Sequence, residues 1–250
     1  MFKKILMIMG ISVSLLSLIA CGGDNDSYND SAFELFERSQ EAMADIDSFI
    51  IALDLVTEGS VAGVSEETEM SLQMSLEMLS DTEARMSASG TVMGIEVDFY
   101  FRDGYMYMDL LGERNREAMD FEEAFEMTGG SLVESTLEEE WIESSSVESL
   151  EDGGYRLNFT LDPVGMLGPS FGDNIAGIPF SEDMIDGGTV EMVFYIGADY
   201  HITHAEVEMN VTFIILGETM SMDISVDATY IQLGDVSVEF PAWLDEFDAS

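Results

Sequence analysis

Beyond Ser48, apolar and polar residues alternate with a period of two over most of the chain. The alternation is clearest in residues 70–78, 86–92, 95–101, 190–196, 207–215, 220–226 and 236–240. Successive side chains of a β-strand point to opposite faces of its sheet, so this pattern is typical of antiparallel strands with one wet face. Asp103-Gly104 is a strong hairpin signal between two of these segments. The chain is therefore predicted to form about ten or eleven antiparallel strands.

A helix is predicted directly before the strands. Ser31 and Glu34 have the spacing of a capping box, in which the serine accepts a hydrogen bond from the third helical N–H and the glutamate reaches back. Apolar residues then recur at helical spacing, at Phe33, Phe36, Met43 and Ile46. We expect a helix from Ala32 to Ile46 with one apolar face.

Residues 115–137 interrupt the strand pattern. Ala118, Phe121 and Phe125 would lie on one face of a helix, and the glycine pair at residues 129–130 would end it. Residues 131–134 have the spacing of a second capping box, which predicts a further short helix. We expect these helices to be insertions that cover one face of the sheet.

Residues 162–188 form a segment that is irregular in pattern yet rich in apolar residues. It contains three of the chain's four prolines and six glycines. Long irregular segments with this much apolar content are usually functional or packed as a lid. We predict a mobile flap over an apolar cavity, with the flap residues Met166, Leu167, Phe171, Ile178 and Phe180.

Residues 1–20 have the composition of a secretory signal peptide. Lys3 and Lys4 precede a short apolar run that ends at Ala20, directly before Cys21. This ending resembles the lipobox of bacterial lipoproteins, in which the cysteine sulfur receives a diacylglyceryl group and the chain is cut before it. An ordinary signal peptide or a membrane anchor is the alternative, although a span needs ~20 apolar residues. We expect a lipid anchor at Cys21 on the extracytoplasmic face of the cell membrane, an acidic tether over residues 21–30, and one domain over residues 31–250.

The charge of the chain excludes one class of partner. After residue 20 there is no lysine, and six arginines face 51 acidic residues. Nucleic-acid binding is not expected, because neutralising phosphates requires lysine and arginine. Cys21 is the single cysteine, so no disulfide within the chain can stabilise the fold.

Catalysis and metal binding are not expected. Residues 168–172 match the pattern G-x-S-x-G, but that motif requires a strand, a tight turn and a helix on a mostly parallel sheet. His201 and His204 could share a metal if they were helical, but strand residues flank them, and we interpret them as exposed turn residues. We therefore predict no enzyme activity, no cofactor and no metal site, with weak nonspecific calcium binding by the acidic surface left open.

In the order of its elements the chain resembles a group of bacterial lipoproteins. A lipobox, a tether, an amphipathic helix, alternating strands with helical insertions and a final strand ending at Phe240-Pro241 are similar to the LolA/LolB-like and LppX/LprG-like lipid-binding superfamily. The similarity is greatest to its uncharacterised Gram-positive branch and covers residues 31–245. It implies an α+β fold, in which a curved antiparallel β-sheet or half-barrel carries an N-terminal helix and helical insertions over its concave face.

Sixteen methionines follow residue 20, most of them at apolar strand positions. Methionine is flexible and polarizable and suits surfaces that accept varied apolar ligands. One interpretation is noncatalytic binding, and possible carriage, of a lipid or other apolar ligand; the alternative is a cell-surface interaction or scaffold module with a filled core. In the first, the cavity wall comprises Met74, Met78, Phe99, Met106, Met108, Met192, Phe194, Met209 and Met222.

Replacing Cys21 by alanine is expected to abolish lipidation, because the thiol is the group that would receive the acyl anchor. Metabolic labelling with palmitate, followed by purification of the native protein and Cys21→Ala, measures this. Equal label on the two proteins would contradict the predicted anchor.

Overall fold

The computed structural model describes residues 31–248, apart from residues 62–63, 81–82, 129–136, 172–173, 176–177, 180–183 and 216. The predicted signal peptide, Cys21, the tether, the second capping box and Phe180 lie outside the described residues. Within the described part of the chain, no helix is long and apolar enough to cross a membrane.

An eleven-stranded antiparallel sheet dominates the structure. Its strands are β1 (Ser48–Val61), β2 (Val64–Ser80), β3 (Glu83–Val92), β4 (Ile95–Arg102), β5 (Tyr105–Leu110), β6 (Glu113–Ala118), β7 (Ile142–Ser149), β8 (Tyr155–Leu161), β11 (Ile185–Ile196), β12 (Ile202–Ile215) and β13 (Glu218–Leu233). They lie in the order β6-β5-β4-β3-β2-β1-β13-β12-β11-β8-β7. The two-residue strands β9 (Asn174–Ile175) and β10 (Ile178–Pro179) form a separate pair. The predicted antiparallel sheet is confirmed.

Four helices accompany the sheet in the described residues. They are α1 (Ala32–Ala44), α2 (Phe121–Met127), α3 (Pro163–Phe171) and α4 (Leu244–Asp248), together with a 3-10 turn at Glu139–Trp141. The predicted N-terminal helix is confirmed, although it ends two residues before Ile46.

One face of the sheet, which we call the inner face, carries the hydrophobic core. The strand register brings its apolar residues together in rows, as in the pairs Leu53–Leu72, Leu53–Ala228, Met74–Ala88, Phe99–Met108 and Met192–Phe159. Burial of apolar surface contributes roughly 25 cal/mol per Å². This continuous apolar face is therefore the main source of stability.

The hairpin predicted at Asp103-Gly104 joins β4 to β5. Both residues have positive φ, 57° for Asp103 and 76° for Gly104. A two-residue turn with positive φ at both positions matches the right-handed twist of the strands, and aspartate followed by glycine is a preferred pair for it. The local sequence thus sets the register of these two strands.

The N-terminal helix begins as the capping box predicts. The Glu34 N–H donates to Ser31 Oγ at 3.2 Å, and the Ser31 N–H donates to Glu34 Oε2 at 2.6 Å. Its buried stripe contains Leu35 and Phe36, whereas Phe33 is only partly buried. The buried face is thus rotated relative to the predicted one, which includes Phe33 and leaves out Leu35.

The strand prediction is wrong at three places. Residues 115–118 belong to β6 rather than to a helix, and β7 was not predicted. Both are edge strands with mostly exposed side chains, so neither shows alternation. Residues 236–240 alternate but lie outside the sheet, because they pack as an extended segment on its other face.

The face opposite the core, the outer face, places carboxylates directly across from one another. Such pairs are Asp54–Asp227, Glu58–Asp223, Glu58–Glu67, Glu191–Glu208, Glu206–Asp227 and Asp98–Asp109. Like charges in directly opposed positions destabilise a sheet. Burial, together with the carboxylates of Asp109 and Glu96, raises the pKa of Asp98 above its ordinary value of 3.8.

Replacing Asp98 by asparagine is expected to increase the free energy of unfolding at pH 7 by about 0.2–1 kcal/mol. With a raised pKa, folded Asp98 binds a proton more tightly than it does in the unfolded chain, so its ionised form destabilises the fold. That destabilisation is relieved as the pH falls through the raised folded pKa towards 3.8. Urea unfolding at several pH values should show the advantage of Asp98→Asn shrinking with acidification.

The matched control is Glu218→Gln, whose side chain is exposed at a strand position directly opposite Ile215, with no carboxylate across from it on β12. This substitution also removes one negative charge, but from an exposed carboxylate whose ionised form is not penalised by burial. Its effect on the free energy of unfolding should therefore be smaller than that of Asp98→Asn. An Asp98→Asn protein less stable than the native protein at pH 7 would contradict the account.

Candidate functional site

The nine residues predicted to form a cavity wall lie on the inner face. Six of them are buried, namely Met74, Phe99, Met106, Met192, Phe194 and Met209, and three are partly buried, namely Met78, Met108 and Met222. They come from β2, β4, β5, β11, β12 and β13, which the sheet order distributes across its width. The structure therefore brings them into one apolar cluster, while their part in ligand binding stays a prediction.

Helix α1 packs against one end of this cluster. The Phe36 ring lies 4.7 Å from that of Phe194 and 6.0 Å from that of Phe159, measured between ring centroids. Offset and edge-to-face contacts at these distances are favourable beyond the area that they bury. Phe36 thus ties the N-terminal helix to β8 and β11.

Helix α2 packs against the other end. Phe121 contacts Phe101 with ring centroids 5.7 Å apart. Beyond the helix, the buried Thr128 hydroxyl lies 3.5 Å from the sulfurs of both Met74 and Met86 and 2.9 Å from the Phe125 carbonyl oxygen. Two helices thus pack on the same inner face, α1 against β8 and β11 and α2 towards β2–β4.

The predicted flap is more regular than its sequence suggests. Its first part is the helix α3, which begins after Asp162, and the Val164 N–H donates to Asp162 Oδ1 at 3.0 Å. Met166 and Leu167 are buried in the core. Phe171 ends α3 and Ile178 begins β10. The expectation of an irregular segment is therefore wrong for residues 163–171.

Close packing holds α3 against the 3-10 turn. A Cβ atom on Gly165 would lie 2.9 Å from Cδ1 of Trp141, closer than side chains tolerate. Glycine at this position lets the helix approach the indole ring. The same helix contains Ser170 of the G-x-S-x-G pattern, so this serine does not occupy the strand-to-helix turn that a nucleophile elbow requires.

The described residues form a cavity of about 300 Å³ at a different place. It spans β1, β11, β12 and β13, and its lining comprises Val56, Glu58, Thr189, Glu191, Glu208, Met209, Asn210, Asp223, Ile224 and Ser225. Four carboxylates and several hydroxyl or amide groups make this lining polar, whereas sites for apolar ligands are lined mainly by hydrophobic side chains. Only Met209 of the predicted wall contributes to it.

The two histidines differ from the prediction that both are exposed in a turn. His201 follows the turn between β11 and β12, and its Nδ1 lies 2.9 Å from Asp199 Oδ2. That hydrogen bond lowers the pKa of Asp199. His204 instead lies in β12 and is part-buried, with Nδ1 2.8 Å from Thr229 Oγ1 and Nε2 3.1 Å from Glu206 Oε1. In the described ranges no group of three or more His, Cys, Asp or Glu side chains is arranged to hold a metal.

Residues 236–248, which we call the C-terminal strap, cross the outer face behind the predicted wall. The Val236 N–H donates to Ser48 Oγ at 3.1 Å, and the Val238 N–H donates to Glu77 Oε2 at 3.0 Å. Further along, Trp243 contacts Tyr100, with ring centroids 5.8 Å apart. The alternation of residues 236–240 predicts a strand rather than this strap, although the aromatic residues Trp243 and Phe247 after Pro241 could have indicated a packed terminus.

Arginines attach the strap to β4 and β6. Arg102 donates to Asp245 Oδ1 at 3.3 Å, and Arg116 donates to the Phe247 carbonyl oxygen at 3.2 Å. The guanidinium carbon of Arg114 lies 4.6 Å from the Trp243 ring centroid. Cation–π contacts of this kind contribute about 0.5–2 kcal/mol each. The strap therefore supports β4–β6 from the side opposite Phe99 and Met106.

Comparison with known proteins gives matches in structure alone. No protein family and no curated protein matches the sequence. A DUF1329 family protein from Desulfovibrio piger is 10% identical, with 83% of this chain and 93% of that chain covered and a TM-score of 0.28. A LolA superfamily protein from Nitrosomonas europaea is 9% identical, with coverages of 82% and 96% and a TM-score of 0.26.

A candidate outer membrane lipoprotein-sorting protein domain from Vibrio parahaemolyticus is also similar. It is 12% identical, with 86% of this chain and 98% of that chain covered and a TM-score of 0.29. Overlaps of this size establish neither a shared fold nor a shared activity.

Replacing Leu244 by alanine is expected to lower the free energy of unfolding by about 2–5 kcal/mol, the usual cost of truncating a buried leucine. Leu244 has no exposed surface and is the first residue of α4, the strap's terminal helix. Urea unfolding measures the change. Glu246→Ala, an exposed position of the same helix, is the control and should change stability little. Equal stability of Leu244→Ala and the native protein would show that the strap does not support the sheet.

Proposed function

We propose that this protein is a lipid-anchored extracytoplasmic protein that binds a lipid or another apolar ligand without catalysis. The ligand would lie between the inner face of the sheet and the helices that pack on it. The observation that carries the proposal is the concentration of methionine in the core formed by that face and its helices: seven methionines are buried there and seven more pack against it partly buried.

Methionine supports ligand binding for a physical reason. Its unbranched side chain and polarizable sulfur adapt to irregular apolar shapes at small cost, whereas β-branched residues are stiff. A core built only for rigidity would favour leucine, isoleucine and valine. A methionine-rich wall can repack around acyl chains of different lengths, which is the property that a lipid-binding protein needs.

Entry of a ligand requires that a covering helix moves. Met166 and Leu167 of α3 are buried in the core, so α3 must shift for a ligand to reach the sheet beside them. The segment around α3 contains Pro163, Pro169 and Pro179 and several glycines, and such segments can change conformation as a unit. We infer that residues 162–188 act as the flap and that the sheet curves around the ligand as a half-barrel.

The anchor and the tether place the site near its cargo. Acyl chains on Cys21 would hold the protein at the membrane, and stable anchoring takes more than one chain. The tether of residues 21–30 would then keep the acidic domain clear of anionic headgroups, which repel it. We therefore propose the LolA/LolB-like or LppX/LprG-like manner of lipid binding, in the Gram-positive branch of that superfamily.

One observation favours the alternative of a scaffold or interaction module. Six of the nine wall residues are buried, and the cavity of about 300 Å³ on β1 and β11–β13 has a polar lining. A filled inner face would stabilise the sheet without receiving any ligand. The two functions differ in whether the inner face takes up an apolar probe.

A fluorescent fatty acid is expected to bind the purified protein at micromolar concentration, with a rise in emission as it leaves water. Met108→Glu should abolish this rise, because a carboxylate on the inner face must be desolvated next to Phe99. Ile231→Glu is the matched control, since it adds the same charge at a strand position that is 55% exposed. It should bind the probe as the native protein does.

The folding of Met108→Glu must be checked by its thermal melt, because the buried charge could unfold the sheet. If Met108→Glu does not fold, Phe171→Ser in the flap provides a second test. This substitution should weaken probe binding and leave the melting temperature nearly unchanged. Absence of probe binding by the native protein at micromolar concentration would favour the scaffold function.

A further inference from the structure

The open sheet ends in two edge strands, β6 and β7, which differ in how they are protected. An edge strand presents unpaired backbone N–H and C=O groups, and proteins usually shield it with charged side chains, proline, bulges or a covering segment. A long edge without such protection is a template on which another extended chain can pair.

Edge strand β6 is well protected. Four of its six residues are charged, and the strap lies beside it. Arg114 stacks over Trp243 at 4.6 Å, and Arg116 stacks over Tyr105 at 4.7 Å while it donates to the Phe247 carbonyl oxygen. These side chains are held across the outer face next to the edge.

Edge strand β7 has little of this protection. Residues 143–149 are all exposed, and they contain no lysine, arginine or proline. A register shift occurs between Ile142 and Ser144, but Ser144–Ser149 pair with β8 in regular register. Within the described part of the chain, β8 is the strand paired with β7. Helix α1 approaches both strands, yet residues 143–149 of β7 remain exposed. Three consecutive serines at its centre offer no steric barrier to a further strand.

The charge around this edge selects the kind of chain that can pair with it. Residues 138–152 contain seven acidic residues and no basic residue. A second copy of the protein would bring a net charge of −43 and the same carboxylates, so electrostatic repulsion opposes pairing between two β7 edges. A basic chain is attracted to the same surface and associates faster.

The side chains of β7 indicate the pattern of the incoming strand. Glu148 is 64% exposed and lies 3.8 Å from Arg156 on its β8 side, which leaves its other side open to a second cation. Val147 is 39% exposed and lies opposite Leu157, on the inner side of the sheet. Val147 and Glu148 are consecutive, so their side chains point to opposite faces of the sheet. An incoming strand with an apolar residue beside Val147 and a basic residue beside Glu148 therefore alternates between apolar and basic residues.

We propose that the free edge of β7 accepts an extended segment of another polypeptide, with alternating basic and apolar residues, as an additional strand of the sheet. This interaction surface is separate from the inner face, and it does not depend on lipid binding. Backbone hydrogen bonds provide the affinity, and the carboxylates around the edge provide the selection for a basic partner.

An octapeptide of alternating valine and lysine tests this proposal with the full-length protein. Its binding should slow hydrogen–deuterium exchange of the β7 amides and leave the β6 amides unchanged. An octapeptide of alternating proline and lysine has the same charge but cannot form a strand ladder. It should bind at least about tenfold more weakly in isothermal titration calorimetry. Equal binding of the two peptides, or protection elsewhere than β7, would overturn the proposal.

Proline substitutions at Ser145 and Ser146 provide a second test on the protein itself. Successive N–H groups of an antiparallel strand point to opposite edges, so one substitution removes an outward N–H and the other breaks the ladder to β8. The variant that keeps the native melting temperature should lose at least about tenfold in affinity for the valine–lysine peptide. Unchanged affinity of that variant, or a dimer of the native protein with protected β7 amides in the absence of peptide, would contradict the proposal.

Discussion

Burial of the inner face is the interaction on which the rest of the structure depends. The chain contains a single cysteine, so no disulfide within it supports the sheet, and the outer face adds repulsion between opposed carboxylates such as Asp54 and Asp227. Apolar burial must exceed both this repulsion and the loss of chain entropy. The helices α1, α2 and α3 are therefore part of the stabilising layer, because each contributes buried side chains to the same cluster.

Most arginines of this acidic protein lie beside aromatic rings. Five of its six arginines lie with the guanidinium carbon 4.6–5.9 Å from an aromatic ring centroid. The planar guanidinium can stack on a ring while it donates hydrogen bonds, which a lysine ammonium cannot do equally well. Three of these arginines fasten the C-terminal strap, so the few cations of the chain stabilise the outer face where carboxylates alone would weaken it.

The alternating pattern predicts the sheet, the Asp103-Gly104 pair predicts its hairpin, and the spacing of Ser31 and Glu34 predicts the capping box, because each of these features depends on local residues. The alternation also identifies which residues share the inner face, since the strand period assigns Met74 and Phe99 to the core side. The edge strands β6 and β7 could not be predicted from the pattern. Neither strand buries one of its faces, so their sequences do not alternate between apolar and polar residues. The strap alternates like a strand, and only its tertiary contacts with Tyr100 and Glu77 distinguish it from one.

The candidate site could be predicted from the sequence only in its strand residues. The wall residues could be predicted because they are apolar and alternate with polar residues. Helix α3 could not be predicted, because its segment contains prolines and glycines that are typical of loops. Whether a methionine-rich face is a filled core or a ligand-binding wall depends on the free energy of moving α3, which no periodicity encodes. For the proposed function, the apolar composition of this face favours an apolar ligand, whereas the shape of the face and the mobility of α3 would determine whether a ligand enters.

Native mass spectrometry of the protein, purified under mild conditions from the cells that produce it, tests the central claim most directly. If the inner face binds lipid, the spectrum should show protein together with a noncovalent adduct of lipid mass that is lost on collisional activation, and Met108→Glu should lack this adduct while remaining folded. A folded native protein that carries no such adduct, and takes up none from added lipid, would contradict the account.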